Sequence, residues 1–387
     1  MKRKVIYVSW IPLTEKVSRD WYIDYLISKE IVVEFWDVSY FLRGDLSQAN
    51  TLSPTYAQTI QSFSEVESKL KNQENSDALF VMLVEYDGRR AFFYRLFSKY
   101  SCRMLYIRWG AVPVAYISKY NKILSRLTSP LSLIADIFYI KKAELYRKLQ
   151  LIDPFEVVFA AGQSCMSDNY CNKLVPINLC DYDNHKNLID SSLERLVKEK
   201  YAVFLDTFLP FQSDLKVENR PVVTPALYYS SLNSFFQLIE KKYRVKVVIA
   251  AHPKAEYKYD MFNGREILYG QTPRLVKDSE YVIAEMSTAI CYAIINNKPL
   301  FFLYNDEMNV IYKDTVVHEI ISFAQCLGEP VYNSDSIKEC SQIKDPQNNK
   351  DLYDLYKYSY VTSPNSENYD SKEIFLSEIK NLLRSVE

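Results

Sequence analysis

Glycine is scarce in this chain, with seven glycines among 387 residues. Neither GxGxxG nor GxxxxGK[ST] occurs, which excludes the dinucleotide-binding fingerprint and the P-loop. Both motifs are glycine-rich loops that hold phosphate with backbone N–H groups. If the protein binds phosphate, we expect it to use helix ends and side chains instead.

Residues that commonly bind metal ions are few or scattered. The three histidines show no HExxH pattern, and the seven cysteines form no CxxC pair. A zinc site is therefore not expected, and we predict that no metal takes part. An odd number of scattered cysteines suits a reducing compartment, where a thiol packs as a small apolar side chain. We expect a cytoplasmic protein.

Long apolar runs and an excess of either charge are also absent. No stretch of 18 apolar residues exists, so no membrane-spanning helix is predicted. The basic start precedes an apolar run that is too short for a signal peptide. With 47 basic and 48 acidic residues the net charge is −1, which argues against a nucleic-acid partner.

The length exceeds the size at which a single core stops growing, so two domains are expected. Apolar strands alternate with helical patterns in both halves, which predicts doubly wound α/β domains. The predicted boundaries are residues 1–165 for the first domain, 166–200 for a polar linker, 201–370 for the second domain and 371–387 for a helix that packs back on the first.

The stretch 245–251 is nearly all apolar and rich in β-branched residues, which favours a buried parallel strand. His252, Pro253 and Lys254 follow it directly. Since Pro253 has no N–H to donate to a sheet, the strand must end there. His252 and Lys254 then lie at the carboxyl end of a strand, where open α/β sheets bind ligands.

A second strand is predicted at 281–284, followed by Glu285, a Ser287-Thr288 pair and an apolar helix over 289–295. Serine and threonine are good N-caps. The N–H groups and dipole of a helix N-terminus favour an anion. We therefore expect the His-Pro-Lys segment and this hydroxyl-capped helix to converge on one phosphate.

His-Pro at a strand end, followed by Ser-Thr at a later helix start, resembles the bacterial sialyltransferase-type glycosyltransferases. The resemblance implies a GT-B fold, in which two doubly wound Rossmann-like domains face a central cleft. It also implies that His252, Pro253, Lys254, Ser287 and Thr288, with Glu285 beside them, hold the phosphate of a CMP-linked sugar. A similar His-Pro occurs in the glycerol- and ribitol-phosphate polymerases of teichoic acid synthesis. Alternatively, the histidine satisfies a loop carbonyl and the serine only caps its helix.

The predicted strand 78–84 ends in Glu85-Tyr86-Asp87-Gly88. In the sialyltransferase-like families an acidic-acidic-Gly motif supplies the base that deprotonates the acceptor. Only Asp87-Gly88 matches here, because Tyr86 occupies the first acidic position, and Glu85 remains a rival base. The alternative is an Asx-type turn in which Gly88 adopts a positive φ.

Asp206 follows the predicted strand 202–205, where it either contacts donor or acceptor or closes a turn. The one DxD triplet, from Asp181 to Asp183, falls in the predicted linker, which is a poor context for a metal-diphosphate site.

The activity that the resemblance implies is inverting, metal-independent transfer of a nonulosonate such as sialic acid or Kdo. The donor is CMP-activated, and the acceptor is a glycan or lipid-linked glycan of lipopolysaccharide or capsule synthesis. Asp87 is the general base, and no cofactor besides the nucleotide-sugar donor is expected. Three alternatives stay open: a polyol-phosphate or UDP-sugar transferase, a catalytically silent glycan-binding or scaffold protein, and a sugar-nucleotide epimerase.

Residues 118–148 carry seven Lys or Arg against two acids, a net charge of +5, interleaved with large apolar residues. Such a segment can lie peripherally on the anionic inner face of the cytoplasmic membrane or guide a lipid-linked acceptor. The alternative is a core helix with a basic rim.

Overall fold

The computed structural model describes residues 4–44, 51–72, 75–109, 130–166, 170–189, 194–212 and 221–384, with the backbone alone at 130–133 and 136. These residues form two units. The first unit holds the described residues up to Trp109, those from 130 to Cys180 and those from Ser363 onwards, and the second holds those from Asp181 to Thr362. Residues 118–129 of the basic segment lie outside the described residues.

The first unit is built on a seven-stranded sheet in the order β3-β2-β1-β4-β5-β6-β7, and all neighbouring strands are parallel. β1 lies between β2 and β4. Successive strands are therefore added on one side of β1 up to β3 and on its other side from β4 onwards. The strands are β1 Lys4–Ser9, β2 Val32–Asp37, β3 Ala57–Thr59, β4 Leu79–Leu83, β5 Arg103–Arg108, β6 Phe155–Ala161 and β7 Cys171–Ile177.

The core of the first unit lies between its sheet and the helices over it. Val5, Tyr7 and Val81 belong to this core, as expected for parallel strands that are covered on both faces. From the C-terminal helix, Phe375 contributes a ring whose centroid lies 4.8 Å from that of Phe159. The helices are Glu15–Asp20, Ile23–Ser28, Ser39–Arg43, Phe63–Lys71, Ala91–Lys99, Pro130–Lys148, Gln163–Met166 and Ser371–Arg384.

The second unit is built on a six-stranded parallel sheet in the order β10-β9-β8-β11-β12-β13. Every residue of its central strand β8 is buried, which explains the continuous apolar run in the sequence. The strands are β8 Tyr201–Leu205, β9 Lys246–Ala250, β10 Ile267–Leu268, β11 Tyr281–Ala284, β12 Leu300–Tyr304 and β13 Val331–Asn333.

Helices connect these strands and complete the second unit. They are Cys180–Ile189, which begins at the boundary between the units, Pro225–Tyr243, Thr272–Asp278, Ile290–Ile295, Asp306–Ile311, His318–Leu327 and Lys350–Tyr356, with shorter helical turns at Leu209–Phe211, Lys313–Val317, Cys340–Gln342 and Lys357–Val361. The second sheet has the strand order 3-2-1-4-5-6, and the first sheet has the same order with a seventh strand added at its end. This is the strand order of doubly wound nucleotide-binding domains. The predicted class, α/β with two doubly wound parallel sheets, is confirmed.

The stretch 166–200, which the sequence suggests as a linker, holds β7 and the helix Cys180–Ile189. β7 pairs with β6 from Cys171 to Ile177 and forms the outer edge of the first sheet. An edge strand tolerates Pro176, because its outer side needs no hydrogen-bond donor. Across the part of the chain that the structure describes, no helix is both long and apolar enough to cross a membrane.

Candidate functional site

Three of the predicted site residues lie at the carboxyl ends of strands in the second sheet. Asp206 directly follows β8, Glu285 directly follows β11, and His252 lies two residues beyond β9. These strands are neighbours in the order β9-β8-β11. Successive strands are added on one side of β8 up to β10 and on its other side from β11 onwards. The carboxyl ends of the strands at such a switch point form the usual ligand-binding crevice of open α/β sheets.

Glu285 is the most enclosed of the three, with 1% of its surface exposed. Its Oε2 accepts hydrogen bonds from Thr207 Oγ1 at 2.8 Å and from the Tyr228 hydroxyl at 2.7 Å. Burial, with a smaller contribution from the nearby Asp206 charge, raises the pKa of the Glu285 carboxyl to about 7. Through these two hydrogen bonds, Glu285 links the helix Pro225–Tyr243 to the loop after β8.

Asp206 is also buried and organises that loop. Its Oδ1 accepts from the Phe208 backbone N–H at 3.0 Å, and its Oδ2 accepts from the Tyr257 hydroxyl. Burial raises the pKa of Asp206 to about 6. Phe208 has a φ of 51°, a left-handed conformation that is costly for a bulky residue.

The loop after β9 presents a histidine and two lysines. His252 Nδ1 accepts a hydrogen bond from the Lys254 backbone N–H at 3.2 Å. In the neutral imidazole the proton therefore lies on Nε2, which makes Nε2 the donor. Lys254, Glu256 and Lys258 line a cavity of about 390 Å³ together with Phe208. Among these described residues the two lysines outnumber the one carboxylate, so the lining has a net positive charge that suits an anionic ligand.

The predicted cap of the next helix is wrong. That helix starts at Ile290, and its N-cap is Ala289, which makes no side-chain capping bond. Ser287 instead accepts from the Ala289 backbone N–H at 3.3 Å, two residues on, as serine does in a tight turn. Thr288 is exposed in the same turn. The Ser287 hydroxyl thus serves the turn that leads into the helix.

Asp87 follows β4 in the first unit. At β4 the successive strands of that sheet switch from one side of β1 to the other. The two oxygens of Asp87 accept from Arg90, Oδ1 from the backbone N–H at 2.9 Å and Oδ2 from Nη1 at 2.6 Å. The Arg90 guanidinium also lies over the Trp10 ring, 4.0 Å from its centroid. Asp87 thus closes the turn before the helix Ala91–Lys99. Its rival Glu85 is exposed.

Gly88 has a different role from the one the sequence suggests. The glycines of positive φ do not include it, so the expectation of a positive φ at this position is wrong. A Cβ at Gly88 would lie 1.9 Å from the carbonyl oxygen of Tyr139. Glycine is required because the helix Pro130–Lys148 packs directly against the turn. Tyr86, at the position where the motif has an acid, donates to the Ala143 carbonyl of that helix at 2.9 Å.

No sequence motif points to Thr207, Tyr228 and Tyr257, whose hydroxyls donate to the two buried carboxylates. Thr207 adjoins Asp206, and that adjacency was the available signal. The two tyrosines are among 32 in the chain, and their spacing from the strand ends follows no motif.

No metal site emerges from the described residues, among which no group of three or more His, Cys, Asp or Glu side chains is placed to hold a metal ion. In the DxD triplet, Asp181 accepts a hydrogen bond from the Tyr292 hydroxyl at 2.7 Å. Asp181 begins the second unit and lies in the first turn of the helix Cys180–Ile189.

No protein-family model matches the chain, and no curated protein matches it in sequence. Among solved structures it is similar to the wall teichoic acid polymerase TagF, with a TM-score of 0.48 and 12% identity over 98% of this chain and 90% of that chain. It is similar to the spinosyn forosaminyltransferase SpnP, with a TM-score of 0.47 and 12% identity over 98% and 99%. A third is the UDP-GlcNAc 2-epimerase of Methanocaldococcus jannaschii, with a TM-score of 0.44 and 12% identity over 98% and 99%. All three scores lie below one half, so the architecture of this chain rests on its own two sheets.

Proposed function

We propose that the protein is an inverting, metal-independent glycosyltransferase of the GT-B type that binds a nucleotide-activated sugar in its second unit. The observation that carries this proposal is the convergence of His252, Asp206 and Glu285 at the carboxyl ends of three adjacent strands in a sheet of nucleotide-binding order. A fold of this class serves many activities, so the chemistry must come from the residues at that edge.

The loop after β9, which carries His252 and Lys254, stabilises the leaving group. When the bond between the sugar and the nucleotide breaks, negative charge develops on the phosphate. His252 Nε2–H and the Lys254 ammonium are donors at this strand end and stabilise that charge. Asp206 and Glu285 are enclosed by other side chains, and they position the loop after β8 rather than contact the phosphate.

Asp87 serves as general base in this proposal. A carboxylate oxygen can accept more than one hydrogen bond, so the bonds from Arg90 leave each oxygen of Asp87 with further acceptor capacity. Arg90 then fixes the direction of the carboxylate. Glu85 remains the rival base, since it is exposed at the same strand end.

The donor that we favour is a CMP-linked nonulosonate, on the strength of the His-Pro and Ser-Thr resemblance. The turn at Ser287 weakens the second motif. A polyol-phosphate or UDP-sugar transferase therefore remains the alternative, because the His-Pro segment resembles that of the teichoic acid polymerases as well. Transfer to a glycan or lipid-linked glycan of lipopolysaccharide or capsule is the matching acceptor reaction.

A thermal-shift screen with CMP, CDP, UDP and GDP tests the donor site. A ligand at 100 times its Kd stabilises the folded state by about 2.7 kcal/mol. We expect a cytidine nucleotide to raise the Tm and His252→Ala to remove most of that rise, while Lys313→Ala leaves it intact. A rise with UDP alone would favour the alternative donor, and no rise with any of the four would contradict the proposal.

The helix Pro130–Lys148 supports a peripheral membrane contact. Ile134, Ile137, Phe138 and Leu145 are each at least half exposed, and their spacing places them on one helix face. Lys141 lies on the same face and pairs with Glu144 at 2.7 Å, so the apolar stripe is what this part of the helix presents to a lipid surface. We expect co-sedimentation with phosphatidylglycerol vesicles that Phe138→Glu abolishes; unchanged sedimentation of that variant would contradict the contact.

A further inference from the structure

Asp206 and Glu285 form a pair of buried carboxyl groups beside the candidate phosphate site. Leu205 and Ala284, the last residues of β8 and β11, are partners in the sheet, and each acid follows directly. Neighbouring strands lie about 4.8 Å apart, so the two acids are near neighbours. Asp206 is 5% exposed and Glu285 is 1% exposed. Two carboxyl groups are therefore shielded from water at adjacent strand ends.

The described groups that face this pair are neutral. The helix Pro225–Tyr243 contributes the hydroxyls of Tyr228 and Tyr229, and the loop after β9 contributes that of Tyr257. Burial raises the pKa of all three tyrosines, so they stay protonated near neutral pH. The loop after β8 adds the Thr207 hydroxyl and a backbone N–H. Among the described residues no lysine, arginine or histidine pairs with either carboxyl.

The lack of a cation decides the charge of the pair. Two ionised carboxylates at adjacent strand ends repel each other, and burial disfavours their charged forms further. The pair therefore binds a proton more tightly than isolated acids do. Burial is the main reason that the pKa of Glu285 is raised to about 7 and that of Asp206 to about 6. The charge of the pair thus changes near neutral pH.

The same two acids hold the loop after β8. Thr207 Oγ1 donates to Glu285 at 2.8 Å, and the Phe208 backbone N–H donates to Asp206 at 3.0 Å. Phe208 lines the cavity of about 390 Å³ that Lys254 also lines. A change of charge on the pair therefore acts on a loop that borders the candidate phosphate site.

We propose that the Asp206–Glu285 pair is a proton switch for the loop after β8. With the proton bound, the two carboxyl groups hold the loop in the position described above. When the proton leaves to solvent, a second negative charge is enclosed, and opening of the loop admits water to it. Opening returns both acids to their ordinary pKa values, so it becomes easier as the pH rises.

The effect on a nucleotide rests on the proposed function, in which the donor phosphate binds beside this loop. Loss of the proton adds a negative charge near that phosphate and loosens one wall of the cavity. Between about pH 6 and about pH 7.5, affinity for CMP or CDP should fall by about twofold to tenfold more in the parent than in Glu285→Gln. The comparison cancels the titration of the phosphate and of His252, which both proteins share.

Hydrogen exchange of the full chain without nucleotide tests the switch directly. After correction for the chemical exchange rate, protection of the amides from Thr207 to Gln212 should fall by up to about tenfold per pH unit between about pH 4.5 and about pH 7. The amides of β8 should keep their protection, since the switch opens the loop alone. In Glu285→Gln only Asp206 still titrates, so protection of the loop should be level above about pH 6.

Glu329→Gln is the matched control, because Glu329 is also a buried acid of the second unit that accepts from a tyrosine, the Tyr353 hydroxyl at 2.7 Å. Its loop exchange should follow that of the parent.

Three results would overturn the switch: loop exchange that is constant with pH, the same loss of protection in Glu285→Gln above pH 6, or an equal loss in the loop and in β8, which would indicate global unfolding. Equal pH dependence of nucleotide affinity in Glu285→Gln and the parent would contradict the coupling to the phosphate site. Exchange is measured without nucleotide, so failure of the donor site in the thermal-shift screen is seen on its own.

Discussion

Tyr257 donates its hydroxyl hydrogen to the buried carboxylate of Asp206. The bond joins the loop after β9, which carries His252 and Lys254, to the end of β8. The Tyr257 ring also packs edge-on against Phe208, with a centroid distance of 5.6 Å. One tyrosine therefore fixes the two loops that border the candidate phosphate site, and it supports the left-handed backbone at Phe208.

Removal of this bond should destabilise the protein. In Tyr257→Phe the buried Asp206 oxygen loses its donor, and a hydrogen bond to a charged group contributes about 1.5–3 kcal/mol. We expect a loss of that order in the free energy of unfolding by urea at pH 7. Tyr259→Phe is the control, because that side chain is 75% exposed. Equal stability of the two variants would contradict the role of Tyr257.

The buried carboxyls should make stability depend on pH. Burial raises the pKa of Glu285 from 4.5 to about 7 and that of Asp206 from 3.8 to about 6. The folded state then binds protons more tightly than the unfolded state, so the contribution of these groups to stability falls as pH rises from about 4 to about 7.

Glu285→Gln isolates this effect, because glutamine keeps an oxygen that accepts from Thr207 and Tyr228 but carries no charge. Relative to the parent, the variant should gain stability as the pH rises from about 4.5 to about 7.5, at roughly 1.4 kcal/mol per unit of pKa shift. Urea unfolding across this range measures the difference. A difference that is constant with pH would show that Glu285 titrates normally.

Gly88→Ala tests the contact between the turn after β4 and the helix Pro130–Lys148. The new methyl group would lie 1.9 Å from the Tyr139 carbonyl oxygen, so backbone must move, and overpacking of this kind costs about 1–3 kcal/mol. In Gly264→Ala, by contrast, φ is +74° and no atom lies within 4 Å, so backbone strain alone operates, at about 1–2 kcal/mol. If Gly88→Ala unfolds at the same urea concentration as the parent, the close approach is wrong.

The sequence predicted the buried strands well and the edge strands poorly. β8 is a continuous apolar run, because both faces of a central parallel strand are covered, and its predicted bounds of 202–205 lie within one residue of those observed. β7 has two exposed residues near its start and contains Pro176, so its composition resembles a linker. Its pairing with β6 is a tertiary contact that no local pattern reports.

The candidate site was predictable where it depends on strand ends and unpredictable where it depends on distant partners. The positions of Asp206 and His252 follow directly from where their strands stop. The hydroxyls that hold the buried carboxylates come from residues more than 50 positions away, such as Tyr257 to Asp206, with a separation of 51. Gly88 was recognised as a turn glycine, but the helix that requires it lies in a separate part of the chain.

The identity of the base is tested by two carboxylate variants in the first unit. Asp87→Asn keeps an oxygen that can accept from the Arg90 backbone N–H, so the turn should persist and the loss of charge is isolated. A general base contributes about 10²–10⁴-fold to rate. The thermal-shift screen selects a nucleotide, and the sugar donor activated by that nucleotide is the substrate. We expect its turnover to fall by that order, with nucleotide affinity by calorimetry nearly unchanged.

Glu85→Gln is the matched control, because it removes an exposed carboxylate at the same strand end, two residues away. Its turnover should stay close to that of the parent. If Glu85→Gln were the inactive variant, Glu85 would be the base and Asp87 would only close its turn. Should both variants turn over normally, the base lies elsewhere, and Asp206 becomes the next candidate because burial raises its pKa to about 6, near the pH at which a base must operate.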